Sequence, residues 1–301
     1  MPLSIRKVID SNNWDEGGFL IQISFPRRLS LLIAGVLLAP AVPAAPAAPP
    51  HLDADGQAEY RDFLAAPAHR AFAIAPGGAF GWAAGKGGRD DAEDAAIKAC
   101  QDNTPQKCVL YASDRQTVFD AKRWSQLWGP YLTTAQARQA ATGVAPGQRF
   151  PDLEFATAGG EKTSVARLRG KVAILHFWGS WCGPCRREMP ELQALHRKIG
   201  TLPDVALVAM QVRETFAVAQ RWAAGQGLQL PLFDSGATGD ADTEFRLAGG
   251  GRMRDRGIAG RFPTTYVLDK HGVVVFSHVG PVHGWAQYEV FLRDVAARSG
   301  K

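Results

Sequence analysis

The sequence predicts an α/β chain in which a small, disulfide-stapled α+β domain precedes a central mixed sheet with flanking helices. Three observations carry that expectation. From residue 171 onward, apolar strand-like runs alternate with helical periodicity, the pattern of βαβ assembly. Ahead of it lies a shorter stretch with two strand signals, an Ala-rich helical pattern and its own cysteine pair. The length of 301 residues, with 46% hydrophobic and 21% charged side chains, suits about two folded domains and excludes a disordered or collagen-like protein. The expected organisation is an N-terminal extension and signal peptide over 1–47, the small domain over 51–125, a linker over 126–143 and the α/β domain over 144–301.

The first element is a targeting signal. Residues 29–42 are an apolar run preceded by Arg27 and Arg28 and followed by Ala44, Ala45, Pro46, Ala47 and Ala48, which is secretory signal anatomy with cleavage expected near 45–48. The run is short for a membrane span; an uncleaved anchor is the alternative. Asp10, Asp15 and Glu16 sit where signal peptides avoid acids, so the true start is expected downstream of Met1. The formal charge of +5 is mild and demands no nucleic acid. Four cysteines in two close pairs suit an oxidising compartment.

In the small domain, residues 58–66 read as a helix and 70–84 as two strands about Pro76, Gly77 and Gly78. A helix over 90–101 carries Cys100, and a strand over 108–112 begins with Cys108. A Cys100–Cys108 disulfide would close a nine-residue loop and stabilise by about 2.6 kcal/mol on the chain-entropy argument. A zinc site is not expected, because the pairs lie far apart and nothing else marks one. The stretch beginning Ala71, Phe72, Ala73, with its helix and cysteine pair, loosely resembles a small family of secreted bacterial modules of unknown function. Residues 133–141 suggest a further helix in the connector.

The α/β domain begins with an apolar strand over 172–178. A Gly/Cys turn, a helix to about 198 and a strand over 205–212 follow. A helix over 215–224 precedes two strands, 264–268 and 273–278, around the turn at Asp269, Lys270, His271 and Gly272. A closing helix over 285–297 ends the domain. At the first strand-to-helix junction stands Trp181-Cys182-Gly183-Pro184-Cys185. A cysteine at a helix N-terminus meets unpaired N–H groups and the positive end of the dipole, which stabilise a thiolate; a second cysteine one turn on can form a disulfide with it. Attack by Cys182 on a substrate disulfide, with resolution by Cys185, is the chemistry this spacing serves. Half of a zinc ribbon is the other reading of such a pair, but no second pair of that spacing exists. A peroxidase would want Thr at Gly179.

On the segments PDLEF (151–155), LRGKVAILHFWGSWCGPCRREMPELQ (168–193) and GRFPTTYVLDKHGVVVFSHVGP (260–281), the chain resembles the TlpA/ResA-like branch of the thioredoxin superfamily. That branch comprises periplasmic thiol-disulfide oxidoreductases, including cytochrome c maturation reductases. The resemblance implies a thioredoxin-like fold, Cys182 as the exposed nucleophile, Cys185 as the buried resolving thiol and Pro263 as a cis-proline facing the disulfide. It makes Trp181, Phe262 and Pro263 the substrate-binding residues, Glu188 an acid that tunes the thiols and Pro190 a helix-kinking proline. His176 departs from the pattern, standing where relatives carry an acid or an amide. Strand alternation puts it on the face of Ile174 and Trp178, and the expected roles are a proton relay to Cys185 or a packing substitute. The candidate catalytic set is therefore Cys182, Cys185, Pro263, Glu188 and His176.

Arg246, Arg252, Arg254, Arg256 and Arg261 crowd the approach to Pro263, either as a solvated basic loop or as a docking surface for an acidic partner. The expected activity is dithiol reduction of protein disulfides, with apocytochrome c or another envelope protein as client. A membrane donor of the DsbD/CcdA type supplies electrons, and no cofactor or metal is needed beyond the cysteines. Oxidant or isomerase activity is the alternative, as is an adaptor whose N-terminal domain captures a client.

Overall fold

The computed structural model of the protein describes residues 48–124, 128–240 and 242–299; the apolar run 29–42 and all but residue 48 of the expected cleavage region lie outside them. Among the described residues no helix is long and apolar enough to cross a membrane. The described residues form one compact unit.

Its N-terminal part is a four-stranded antiparallel sheet with two helices. Helix α1 (Ala54–Ala65) starts at Asp53, whose carboxylate accepts the Gly56 amide at 2.7 Å as a side-chain cap. Strands β1 (Ala71–Ile74) and β2 (Phe80–Ala83) pair across the Pro-Gly-Gly turn, helix α2 (Arg89–Gln101) follows, and β3 (Val109–Ser113) and β4 (Gln116–Thr117) complete the order β2-β1-β3-β4. Ala92, Ala96 and Cys100 form the buried stripe of α2. The helix lies so close to β2 that a Cβ on Gly81 would stand 2.2 Å from the Cys100 backbone nitrogen, so glycine is required there. The Cys100–Cys108 disulfide ties the last turn of α2 to the start of β3.

Two short helices follow, α3 (Ala121–Trp124) at the end of the segment expected as the small domain and α4 (Thr134–Gln139) in the segment expected as a connector. This segment sends Trp128 into the core, where its ring stacks at 3.8 Å on Phe291.

The C-terminal part is built on seven strands: β5 (Glu154–Ala156), β6 (Lys162–Ser164), β7 (Val172–Trp178), β8 (Val205–Gln211), β9 (Leu232–Asp234), β12 (Thr264–Leu268) and β13 (Val274–Val279). They lie in the order β13-β12-β7-β8-β9-β5-β6. Strands β7, β8 and β9 run parallel, and β12 is antiparallel to β7. All seven residues of β7 are buried, as expected for a strand covered on both faces. One face carries α5 (Gly183–Ile199), which buries Cys185, Met189, Leu192 and Leu195 at helical spacing and contains Pro190. With α5 on the shared core lie α6 (Phe216–Gly225), through Ala219, and α7 (Tyr288–Arg298), through Phe291, Leu292 and Val295. The other face packs on Phe150, Leu153 and Phe245. Between β9 and β12 a two-stranded hairpin, β10 (Glu244–Arg246) and β11 (Arg252–Arg254), turns Phe245 inward and its arginines outward. A mixed sheet with parallel central strands, an antiparallel β12-β13 pair and a helix leaving the end of β7 is the thioredoxin-like topology.

Candidate active site

Cys182 is the N-cap of α5, in extended backbone, and its Sγ accepts the Cys185 amide at 3.2 Å. Pro184 occupies the first turn, where a missing N–H costs no helical hydrogen bond. The two cysteines are joined as a disulfide with a Cα separation of 5.3 Å. Cys185 is fully buried, while Cys182 keeps 5% of its surface. Cys182 is thus the more accessible residue of the pair by a narrow margin, because it also packs into the core cluster beneath α5.

Antiparallel register opposes Thr264 to Phe177, which brings the start of β12 to the end of β7 from which the cysteine turn emerges. The Phe262–Pro263 peptide just before β12 is cis. Phe262 meets the Trp181 ring edge-to-face at 5.4 Å, so the aromatic residues preceding Pro263 and Cys182 touch. Trp181 is 47% exposed, and its indole donates to the Val212 carbonyl at 2.9 Å. A Cβ on Gly179 would lie 2.2 Å from that indole nitrogen, so only glycine lets the ring fold back.

Two residues passed over in the sequence complete this rim. Arg213 sits in left-handed backbone, with φ of 62°. Its guanidinium lies 5.1 Å from the Phe262 ring centre and 5.9 Å from that of Trp181, and its Nε donates to the buried Asp255 at 2.5 Å. Glu214 accepts the Ser180 amide at 2.6 Å and also its hydroxyl, pinning the loop ahead of Trp181. Ser180, Trp181, Arg213, Glu214, Val218 and Asp240 line an open cleft of about 500 Å³. The signal for Arg213 was positional: it follows β8, and the carboxyl ends of parallel strands are where α/β sheets place their sites. Backbone strain at such an edge marks a position held by its surroundings.

Glu188 is buried one turn beyond Cys185. Its Oε1 accepts the Val282 amide at 3.0 Å and the Trp285 indole at 2.8 Å, while Oε2 has no partner among the described residues. Burial raises its carboxyl to about 8 against the pull of those two donors, so it is protonated at neutral pH. His176 is fully buried, its Nδ1 3.0 Å from the Thr265 hydroxyl across the β7-β12 ladder. Burial lowers its imidazole to about 3, so the ring stays neutral at physiological pH, which favours packing over a relay.

The basic segment divides. Arg252 and Arg256 pair with Glu244 and Asp242 at 3.6 and 2.7 Å, whereas Arg246, Arg254 and Arg261 make no ion pair among the described residues. Through Asp255, the same segment anchors Arg213 at the site.

Residues 145–290 match the redoxin family. The thioredoxin-like protein YneN of Bacillus subtilis is 30% identical over 154 residues, 51% of this chain and 81% of that protein. The thiol-disulfide oxidoreductase ResA of Geobacillus thermodenitrificans is 33% identical over 136 residues, 44% of this chain and 68% of its own. A secreted thiol-disulfide isomerase from Corynebacterium glutamicum, of known structure, is 26% identical over 49% of this chain and 85% of its own, with a TM-score of 0.38. With a strand-to-helix cysteine pair already at the end of β7, a match of this extent to relatives of that name places the chain, through its C-terminal half, in the redoxin family of thioredoxin-like thiol-disulfide oxidoreductases.

Proposed function

We propose that the protein is a periplasmic reductase of protein disulfides working through Cys182 and Cys185. In the reduced state the Cys182 thiolate attacks one sulfur of a client disulfide. The client S–S bond breaks, a Cys182–client disulfide forms, and the departing sulfur takes up a proton. Cys185 gives up its proton and attacks Cys182 Sγ. The second client sulfur leaves, and the internal disulfide forms, so two electrons have passed to the client. A membrane donor of the DsbD/CcdA type restores the dithiol; apocytochrome c or another envelope protein is the client. Trp181, Phe262 and Pro263 provide the surface on which the client strand lies. Glu188, protonated one turn from Cys185, tunes the thiols without adding charge. No cofactor takes part.

The observation that carries this reading is the Cys182–Cys185 pair at the α5 N-terminus, at the end of β7, with the start of the neighbouring strand β12 beside it. Replacing Cys185 with Ser removes the resolving thiol, so the Cys182–client adduct accumulates and the client can be identified by mass spectrometry. Recovery of no covalent partner counts against a protein-disulfide substrate. A reduction potential near −270 mV, about that of thioredoxin, fits a reductase, and one near −120 mV, about that of DsbA, would make the protein an oxidant.

A further inference from the structure

The N-terminal sheet and the connector press on the segment that seats Glu188. The His51 amide donates to Gln287 Oε1 at 2.9 Å, and its ring meets Tyr288 edge-on at 4.5 Å. Trp124 donates to His51 Nε2 at 3.3 Å, and Trp128 packs against both His51 and Tyr288. The Pro-Gly-Gly turn adds a second contact: Gly77 has φ of 94°, and a Cβ there would stand 3.0 Å from His278 Nδ1. His278 in turn lies 3.2 Å from the Pro281 carbonyl. Asp53, the cap of α1, is 3.8 Å from His283. The touched segment, 281–288, holds both donors to Glu188, and its Gly284 and Trp285 amides donate to Glu191. From His51 to the acid there are only two intervening rings, since Tyr288 lies 5.3 Å from Trp285.

We infer that the N-terminal module is a built-in positioning element for the redox centre: His51 and the Gly77 turn hold 281–288 so that the Glu188 carboxyl stays dry and aligned one helical turn from Cys185. The inference rests on the tuning role of Glu188 proposed above. Loosening the seam admits water, which stabilises the Glu188 carboxylate; a negative charge one helical turn from Cys185 then opposes thiolate formation at the pair. The titratable groups facing Glu188 are Glu191 on α5 and Tyr288 on α7, with the cysteines on its own helix. His51, His278, His283 and Asp53 lie one contact further out. Burial keeps His51 and His278 neutral down to about pH 4, so neither switches in the range where thiols titrate.

The test is the pH profile of Cys182 alkylation by iodoacetamide in the reduced full-length protein, read by peptide mass spectrometry. His51→Asn removes the ring from Tyr288 while keeping a residue that tolerates the left-handed φ of 67° found there. Gln287→Ala loosens the same seam from the other side, and carries the test should His51→Asn fail to fold. Each is expected to move the midpoint up by about half a pH unit, slowing alkylation at pH 7 about threefold. In a Glu188→Gln background neither should have any effect. Unchanged profiles in the folded single variants would overturn the inference, and so would an equal slowing in the Glu188→Gln background, which would mean general loosening. Glu188→Gln alone is expected to change the wild-type profile on its alkaline side, where Glu188 ionises; if it does not, the tuning role of Glu188 fails, and this inference with it.

Discussion

Burial moves a handful of ionisable residues in opposite directions, and their balance sets the pH at which the oxidised protein is most stable. His51, His176 and His278 are lowered to about 4, 3 and 4, and His196 is lowered as well. A histidine kept neutral in the fold but free to charge when unfolded contributes stability above its unfolded value of about 6.5, which is lost as pH falls toward the folded value. Glu188, raised to about 8, does the reverse: its contribution is complete below its unfolded value and disappears as pH rises through 8. Asp269, also raised by burial, acts in the same sense as Glu188. Each of these buried groups, the partly exposed His196 aside, contributes a slope of about 1.4 kcal/mol per pH unit within its window. Histidines outnumber the acids between about pH 4.5 and 6.5, so stability should climb there, peak near 6.5 and decline toward 8. His176→Asn, which keeps a polar partner for Thr265, should flatten the acid limb by about 1.4 kcal/mol per pH unit and leave the alkaline limb alone. Urea unfolding of the oxidised protein across this range measures both limbs. An acid limb as steep as wild type would mean that His176 is already charged in the fold.

Among the elements, the α2-β3 link shows how a small sheet is held. The disulfide spans a sequence separation of 8, Cys100 is fully buried, and the helix rests on the bare backbone of Gly81. Cys100→Ala with Cys108→Ala should cost about 2.6 kcal/mol in chemical denaturation with the Cys182–Cys185 pair left oxidised. A loss below about 1 kcal/mol would show that packing on Gly81, not the cross-link, holds the helix. Both cysteine pairs, β7, α5, β12 and β13 were legible, because long apolar runs and a helix-capping motif are local signals. Strands β5, β6 and β9 were not, since three residues are too few to display a period. The β10-β11 hairpin was hidden for a related reason: Phe245 and Met253 are its only inward residues, and the arginines around them read as a charge run. At the site, Cys182, Cys185, Pro263 and Glu188 were visible as motif positions. Arg213 was not, because its role depends on Asp255, 42 residues away, and on two aromatic rings that only the fold brings together.

At the scale of the whole molecule, the N-terminal sheet and the redoxin part read as separate in sequence yet share a seam. Trp128, from between them, lies in one cluster with Phe276 of β13 and Phe291 of α7, and Tyr288 is buried among His51, Trp128 and Trp285. Polar contacts cross the same seam, with Gln106 donating to the Ser277 carbonyl at 3.4 Å and His51 to Gln287. Aromatic surface of this extent, once uncovered, would face water at a cost of about 1.5–3 kcal/mol for each large side chain. Neither part can therefore unfold without taking much of the other's stability with it. A tethered pair of independent domains would melt in two steps, whereas a shared core predicts one cooperative transition. Scanning calorimetry of the oxidised protein should accordingly give a single peak whose calorimetric and van't Hoff enthalpies agree. Removing the Cys100–Cys108 staple should lower that one peak as a whole, although the cross-link lies entirely in the N-terminal sheet. Two peaks, or a staple variant that shifts an early shoulder and leaves the main transition in place, would separate the parts energetically and reduce the seam to a surface contact.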